Sequence, residues 1–127
     1  MVDAAQPHIA SVDQQVHAAA RFRRAQAIEL GHRGSRLGIT APEIYTMQLR
    51  AIFAAMKANK GKTPVEIMFP LIVDAAELRI LKALVPPLAA EYGIADAAYQ
   101  LGTMIEVPRA AVVADALAEE AVFFSFG

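Results

Sequence analysis

The sequence contains no cysteine. This absence excludes disulfides, thiolate metal sites and a cysteine nucleophile or acid within the chain, and it fits a reducing compartment. The sequence also lacks an apolar run of the ~18 residues that span a membrane. Residues 1–10 lack the basic start and apolar centre of a signal peptide. We therefore expect a cytoplasmic protein that does not enter a membrane.

An excess of charge of either sign is also missing. The chain has 12 lysines and arginines against 13 aspartates and glutamates, a net charge of −1. This balance gives no electrostatic case for a nucleic-acid partner or an anionic membrane. The basic residues Arg21, Arg23 and Arg24 are isolated, and we interpret them as a solvated helix face. The length of 127 residues allows one domain.

What is present is an alternation of helical and strand patterns. Alternation of this kind predicts an α/β fold with a parallel sheet and right-handed crossovers. A break at Pro86 and Pro87, followed by a short helical turn, interrupts one helix. The predicted helices cover residues 12–27, 41–58, 74–84 and 110–120, and the predicted strands cover residues 28–30, 65–69, 99–107 and 122–126.

Three local signals refine this pattern. Thr40 precedes Pro42 and Glu43, which predicts that Thr40 caps the second helix in a capping box. Asp74 and Glu77 repeat that pattern at the start of the next helix. Residues 31–38 contain three glycines, which predicts a loop whose backbone bends sharply or approaches another group closely.

Several distinctive segments lie between residues 30 and 127. They read LGHRGSRLGIT, PEIY and MQ within residues 30–48, EIM and PL within 66–71, GTMIEVPRA at 102–110, and AEEA and FFSFG within 118–127. These segments resemble the pyruvate phosphate dikinase family of phosphoenolpyruvate-utilising enzymes. They occur in the family's order and cover about residues 30–127, leaving residues 1–29 as an N-terminal helical lead-in. Phosphoenolpyruvate synthases and enzyme I of the sugar phosphotransferase system share the layout and stay as alternatives.

The resemblance implies a partial (β/α)8 TIM barrel of about four βα units with parallel strands, which forms a phosphoenolpyruvate- and pyruvate-binding domain over residues 30–127. The chain has about half of the roughly 250 residues of a closed barrel. A cut barrel leaves open sheet edges and exposed apolar surface. We therefore expect a marginally stable chain that self-associates into a homo-oligomer or aggregates.

The resemblance also assigns residues. Arg33 matches the arginine that contacts the substrate phosphoryl group, and Glu106 matches a carboxylate ligand of an essential magnesium ion. A guanidinium offers a rigid fork of donors to phosphate, and magnesium takes hard oxygen ligands. Arg36 and Arg109 are further candidates for substrate contact, although Arg36 could instead brace the glycine loop and Arg109 could pair with a carboxylate. We interpret His32 as structural.

The implied reaction of the full enzyme is magnesium-dependent phosphoryl transfer. It interconverts pyruvate, ATP and phosphate with phosphoenolpyruvate, AMP and diphosphate through a phosphohistidine. The implied partners are the substrate and the phosphohistidine and ATP-binding domains. In the family the last strand continues into an Asn-Asp pair that supplies a second magnesium ligand, so we expect this chain alone to be inactive. A truncated non-catalytic module and a divergent phosphate-binding domain are the other open interpretations.

Overall fold

The computed structural model describes residues 31–127. The predicted helix at 12–27, the strand at 28–30, the arginines at 21, 23 and 24 and the lead-in at 1–29 lie outside these residues. Within residues 31–127, no helix combines the length and apolar character needed to cross a bilayer. The described elements are α1 (Ser35–Thr40), α2 (Pro42–Ala58), β1 (Val65–Phe69), α3 (Ala75–Lys82), α4 (Val85–Glu91), a 3₁₀ turn (Asp96–Ala98), β2 (Tyr99–Ile105), α5 (Pro108–Val112), α6 (Ala114–Ala118) and β3 (Phe123–Phe126).

The strands form a parallel sheet in the order β1-β2-β3. Val65 is paired with Tyr99, and Gly102 with Phe123. The prediction of an α/β fold with parallel strands is confirmed. Strand β1 has its predicted bounds, whereas β2 ends two residues before the predicted end and β3 starts one residue late. Consecutive strands lie side by side, and the helices that connect them allow them to run parallel.

The start of α2 differs from the prediction. Thr40 does not cap it, because Thr40 is the last residue of α1 and its hydroxyl donates to the Arg36 carbonyl at 3.0 Å. Ala41 occupies the N-cap position without a side-chain hydrogen bond, so the capping box with Glu43 is absent there. Pro42 is the first helical residue, as predicted.

The prediction of a continuous glycine loop is also partly wrong. Helix α1 starts at Ser35 and includes Gly38. The predicted close approach is nevertheless present, because a Cβ on Gly38 would lie 2.6 Å from ring atoms of Tyr45. Gly34 has a φ of 55°, in the left-handed region, and makes the bend before α1.

The second capping box is confirmed in part, because Asp74 caps the helix as predicted but Glu77 reaches back to Val73, one residue before the N-cap. Asp74 accepts from the Glu77 N–H at 3.1 Å, and the Glu77 carboxylate accepts from the Val73 N–H at 2.8 Å. Pro86 and Pro87 lie in the first turn of α4, where proline is tolerated, so the chain breaks between α3 and α4 as predicted. The helix predicted at 110–120 is instead two short helices, α5 and α6, separated at Val113.

The core lies between the helices and one face of the sheet. Phe53 of α2 is fully buried, and its ring centroid lies 5.5 Å from that of Tyr99 on β2. Successive side chains of a strand point to opposite faces of the sheet, so every second strand residue lies on the face away from the core. On that face Glu66 and Gln100 are exposed and Met104 is half-buried. Buried core residues are Leu49, Phe53, Met56, Ile67, Phe69, Ile72, Ala75, Leu78, Leu81, Val85, Leu88, Ala89, Tyr99, Ile105, Ala110 and Leu117.

Two ion-pair groups join helices that are distant in sequence. The Arg50 guanidinium of α2 donates to both carboxylate oxygens of Glu91 at 3.2 Å, and this hydrogen bonding lowers the pKa of Glu91. Glu120, after α6, accepts from Arg79 at 2.6 Å and from Lys82 at 2.9 Å. Hydrogen bonds from these two α3 side chains lower the pKa of Glu120.

These pairs predict destabilisation by acid. Because both carboxyl pKa values are lower in the folded chain, their contribution to stability is present at neutral pH and disappears as the pH falls below about 4.5 through the folded pKa values. We expect Glu120→Gln to lower the melting midpoint by a few degrees at pH 7 and by almost nothing at about pH 3. Thermal melts followed by circular dichroism at both pH values would measure this.

The control is Glu66→Gln, at an exposed glutamate on β1. It removes the same charge and should change the midpoint little at either pH. An equal loss for Glu120→Gln at both pH values would show that the effect comes from packing and not from ionisation.

Candidate active-site residues at the carboxyl ends of the strands

The carboxyl ends of all three described strands lie at one edge of the sheet, because the strands are parallel. Leu71 follows β1, Glu106 follows β2 and Gly127 follows β3. In α/β folds this edge is where binding and catalytic groups collect. Glu106 is half-buried there.

The two carboxylate oxygens of Glu106 have different surroundings. Oε1 accepts a hydrogen bond of 2.7 Å from the Leu71 N–H. Oε2 lies 3.4 Å from the position that a Cβ on Gly127 would take. One oxygen of Glu106 is therefore committed to the backbone after β1, whereas the other lies near Gly127 at the end of β3.

The backbone of Leu71 adopts an unusual conformation. Its φ is 55°, in the left-handed region that costs a non-glycine residue on the order of 1–2 kcal/mol. Such strain persists only where surrounding contacts hold it, and it is common at functional sites. Here the strained residue is the one whose N–H reaches Glu106.

Polar groups from three elements hold the backbone that follows β1. Thr103 of β2, which is fully buried, donates from its hydroxyl to the Phe69 carbonyl at 3.0 Å. Ser35 of α1 donates to the Pro70 carbonyl through its N–H at 3.3 Å and also through its hydroxyl. The Leu71 N–H donates to Glu106. The carbonyls of Phe69 and Pro70 and the N–H of Leu71 therefore all have hydrogen-bond partners from distant parts of the chain.

Arg33 lies beside this turn. It immediately precedes Gly34, and a Cβ on Gly34 would lie 3.0 Å from side-chain atoms of Leu71. Because Gly34 has no side chain, the backbone next to Arg33 can pack against Leu71. The Arg33 side chain is exposed. The structure thus places Gly34, the neighbour of Arg33, against the Leu71 side chain, while the Glu106 carboxylate binds the Leu71 N–H.

The other two arginine candidates are exposed. Arg36 lies in α1 and lines a shallow cavity with His32, Thr40 and Glu77. Arg109 is the second residue of α5, three positions after Glu106. His32 precedes α1, and its Nε2 lies 2.5 Å from the hydroxyl of Thr40, the last residue of that helix.

Sequence reasoning missed three residues of this arrangement. Ser35, Leu71 and Thr103 were not singled out, and their partners lie about 35 positions away in the chain. A serine inside a glycine-rich segment and a threonine inside a strand carry no local signal for such contacts. In residues 31–127 no group of three or more histidines, aspartates and glutamates is placed to bind an ion together.

Comparison with known proteins identifies the family. A family model described as "PEP-utilising enzyme, PEP-binding domain" matches residues 10–127. The chain is 49% identical over 106 residues to the pyruvate, phosphate dikinase of Clostridium symbiosum. It is 53% identical over 106 residues to the enzyme of that name from Rhizobium meliloti (strain 1021), and 48% identical over 105 residues to the chloroplastic one of Flaveria pringlei.

Each of these matches covers 77% of this chain. The chain spans only 11–12% of the length of these curated relatives. The resemblance drawn from the glycine-arginine segment and the strand around Glu106 is confirmed. Because the family model covers almost the whole sequence, the chain belongs to the phosphoenolpyruvate-utilising enzymes, as a stretch of their phosphoenolpyruvate-binding domain.

Proposed function

We propose that this chain is part of a pyruvate, phosphate dikinase and contributes to the site that binds phosphoenolpyruvate or pyruvate. In the full enzyme the reaction is phosphoryl transfer between phosphoenolpyruvate and a phosphohistidine carried by another domain, with ATP and phosphate handled at a separate site. The observation that carries the proposal is the convergence of the Arg33 segment and the Glu106 carboxylate on Leu71. We place the protein in the cytoplasm.

The proposed architecture is part of a (β/α)8 barrel over residues 30–127. Two features support a barrel over a doubly wound sheet. Consecutive strands are neighbours, and the core side chains of the helices pack on a single face of the sheet. A doubly wound fold covers both faces with helices, whereas a barrel keeps its helices outside and its second face inside. In this arrangement the face that carries Met104 and Gln100 would line the barrel interior.

Arg33 is the proposed phosphate-binding residue. Phosphoenolpyruvate carries a phosphate and a carboxylate, and a guanidinium keeps its charge and can donate two parallel hydrogen bonds to either group. The exposed side chain of Arg33 is accessible to a ligand, and the bend at Gly34 fixes where that side chain starts. Arg36 and Arg109 are proposed as secondary contacts that add positive charge near the same edge.

Glu106 is the proposed magnesium ligand. Magnesium binds through one or two protein carboxylates together with substrate oxygens and waters. Glu106 fits one such position through Oε2, because Oε1 is engaged by Leu71. The described residues offer no group of three such ligands, so the remaining positions fall to the substrate and to groups elsewhere in the enzyme. When bound, the ion would neutralise charge that develops on the phosphoryl group and the enolate.

A binding measurement tests this function. A ligand that binds only the folded chain raises its stability, by about 2.7 kcal/mol at a hundred times its dissociation constant. We expect millimolar phosphoenolpyruvate with magnesium to raise the melting midpoint of the 127-residue chain. We expect Arg33→Ala to abolish most of this shift, because the phosphate loses its fixed cation.

The matched control is Lys57→Ala, which removes an exposed cation from the last turn of α2. It should leave the shift unchanged. Magnesium chloride alone and inorganic phosphate alone are measured in parallel, to separate effects of salt from binding of the substrate. An absent shift in the unsubstituted chain, or an equal loss in both variants, would contradict the proposed site.

A further inference from the structure

Ser35 is a polar residue that is fully buried, and its hydrogen bonding is unusual. Both its N–H and its hydroxyl donate to a single acceptor, the carbonyl of Pro70. Ser35, the first residue of α1, thus holds the turn after β1 from a distant part of the chain.

The Pro70 carbonyl and the Leu71 N–H belong to the same peptide group. This group is planar and rigid, so its carbonyl and its N–H point in opposite directions and cannot turn independently. Ser35 binds the carbonyl end and Glu106 binds the N–H end at 2.7 Å. A rotation of the peptide plane would therefore break both contacts together.

Hydrogen bonds connected through one peptide also strengthen each other. A donor on the carbonyl polarises the amide and makes its N–H a better donor to the carboxylate. The strained φ of 55° at Leu71 means that this peptide orientation has to be maintained by such contacts.

We propose that Ser35 is a positioning residue for Glu106 and acts through the single peptide that joins Pro70 to Leu71. It orients the carboxylate so that Oε2, the oxygen not bound to Leu71, stays available to a ligand. The contact also ties this orientation to the segment that carries Arg33, two residues before Ser35 in the chain. What Glu106 binds rests on the proposed function, whereas the mechanical coupling of Ser35 to Glu106 does not.

The test measures the Leu71 amide directly. Hydrogen exchange of a ¹⁵N-labelled 127-residue chain is followed by NMR in the unsubstituted protein, Ser35→Ala and Thr103→Val. Thr103→Val is the matched control, because it removes a buried hydroxyl bonded to the adjacent carbonyl, that of Phe69. We expect exchange at Leu71 to accelerate at least tenfold in Ser35→Ala relative to Thr103→Val, once both rates are corrected for global stability.

Two further measurements complete the test. Ser35→Cys keeps the size and a weak donor, so it should give an intermediate exchange rate, and it replaces Ser35→Ala if that variant does not fold. Glu106→Gln should shift the Leu71 amide resonance in the unsubstituted background and shift it by less than half as much beside the Ser35 substitution. Exchange at Leu71 that is no faster than in Thr103→Val, or an undiminished shift, would overturn the proposal.

Ligand binding distinguishes this inference from the proposed function. If magnesium and phosphoenolpyruvate stabilise the chain, Ser35→Ala should reduce the magnesium-dependent part of the shift more than the part seen without magnesium. If the unsubstituted chain shows no shift, the proposed function fails, while the Leu71 measurements still decide whether Ser35 positions Glu106.

Discussion

Replacing Gly102 with alanine is expected to lower the free energy of unfolding by about 3 kcal/mol, the upper end of the usual cost of overpacking. A Cβ on this β2 residue would lie 2.6 Å from two ring atoms of Phe123 and 2.6 Å from the Phe123 carbonyl oxygen. The ring could turn away, but the carbonyl belongs to the paired strand β3 and cannot move without disturbing the ladder. Denaturant unfolding followed by circular dichroism would measure the loss.

This cost would be a large share of the roughly 5–15 kcal/mol that stabilises an ordinary domain. It would also be opposite in sign to the gain of about 0.4–1 kcal/mol that glycine-to-alanine changes give at unstrained positions. The local result should be a loosening of β3 from β2, visible as faster hydrogen exchange at Phe124 and Phe126.

Gly93→Ala separates steric clash from backbone strain. Gly93 has a φ of 70°, and a Cβ there would meet no atom within 4 Å. Its substitution should cost on the order of 1–2 kcal/mol from the left-handed conformation alone. A loss at Gly102 that does not exceed the loss at Gly93 would mean that β3 adjusts to the added methyl group.

Gly102 illustrates which features of the fold can be predicted from the sequence and which cannot. The strand containing Gly102 was predicted at residues 99–107, because the signals for a strand lie within a few consecutive residues. The same is true of the Asp74 cap at the start of α3. The reason for a glycine at position 102 lies in Phe123, about twenty positions later, and no local pattern reports it.

The wrong predictions have the same physical origin. Thr40 was expected to cap α2 because its hydroxyl precedes a proline and a glutamate. The hydroxyl instead bonds back to the Arg36 carbonyl within α1, a local alternative that is always open to threonine. Gly38 was assigned to a loop because of its neighbours, whereas it belongs to a helix that needs a glycine where the Tyr45 ring packs.

In the candidate site, too, features with a local sequence signal were predicted and long-range contacts were not. The position of Glu106 near the carboxyl end of a strand followed from the strand predicted at 99–107, and in the structure it comes directly after β2. Its hydrogen bond to Leu71 could not be predicted, because it depends on a left-handed backbone conformation at a leucine. Sequence patterns predict that conformation mainly at glycine and asparagine. The ligand roles of Arg33 and Glu106 came from family resemblance and stay predictions.

Changing Glu106 should separate its structural contribution from its proposed magnesium ligation. We expect Glu106→Gln to keep the stability of the chain within about 1 kcal/mol, because the amide oxygen can still accept from the Leu71 N–H. It should nevertheless abolish the magnesium-dependent part of the phosphoenolpyruvate-induced shift. Loss of a supporting group outside the ligand set weakens metal binding by about 10–100-fold, so loss of a ligand should weaken it by at least about a hundredfold.

Glu106→Ala should lose both properties. The Leu71 N–H would be left without its carboxylate partner, at a cost of about 1–3 kcal/mol where water cannot replace the partner. The strained Leu71 backbone would also lose one of the contacts that maintain it. Thermal melts with and without magnesium, at fixed phosphoenolpyruvate, would compare the two variants with the unsubstituted chain.

Glu66→Gln is the matched control for charge, since Glu66 is an exposed glutamate on β1. It should retain both stability and the magnesium response. If Glu106→Gln keeps a full magnesium response, Glu106 only supports the Leu71 turn and the metal is bound by other groups. If Glu106→Gln is as unstable as Glu106→Ala, the negative charge itself holds the Leu71 turn, and the loss of ligand response would follow from the loss of structure.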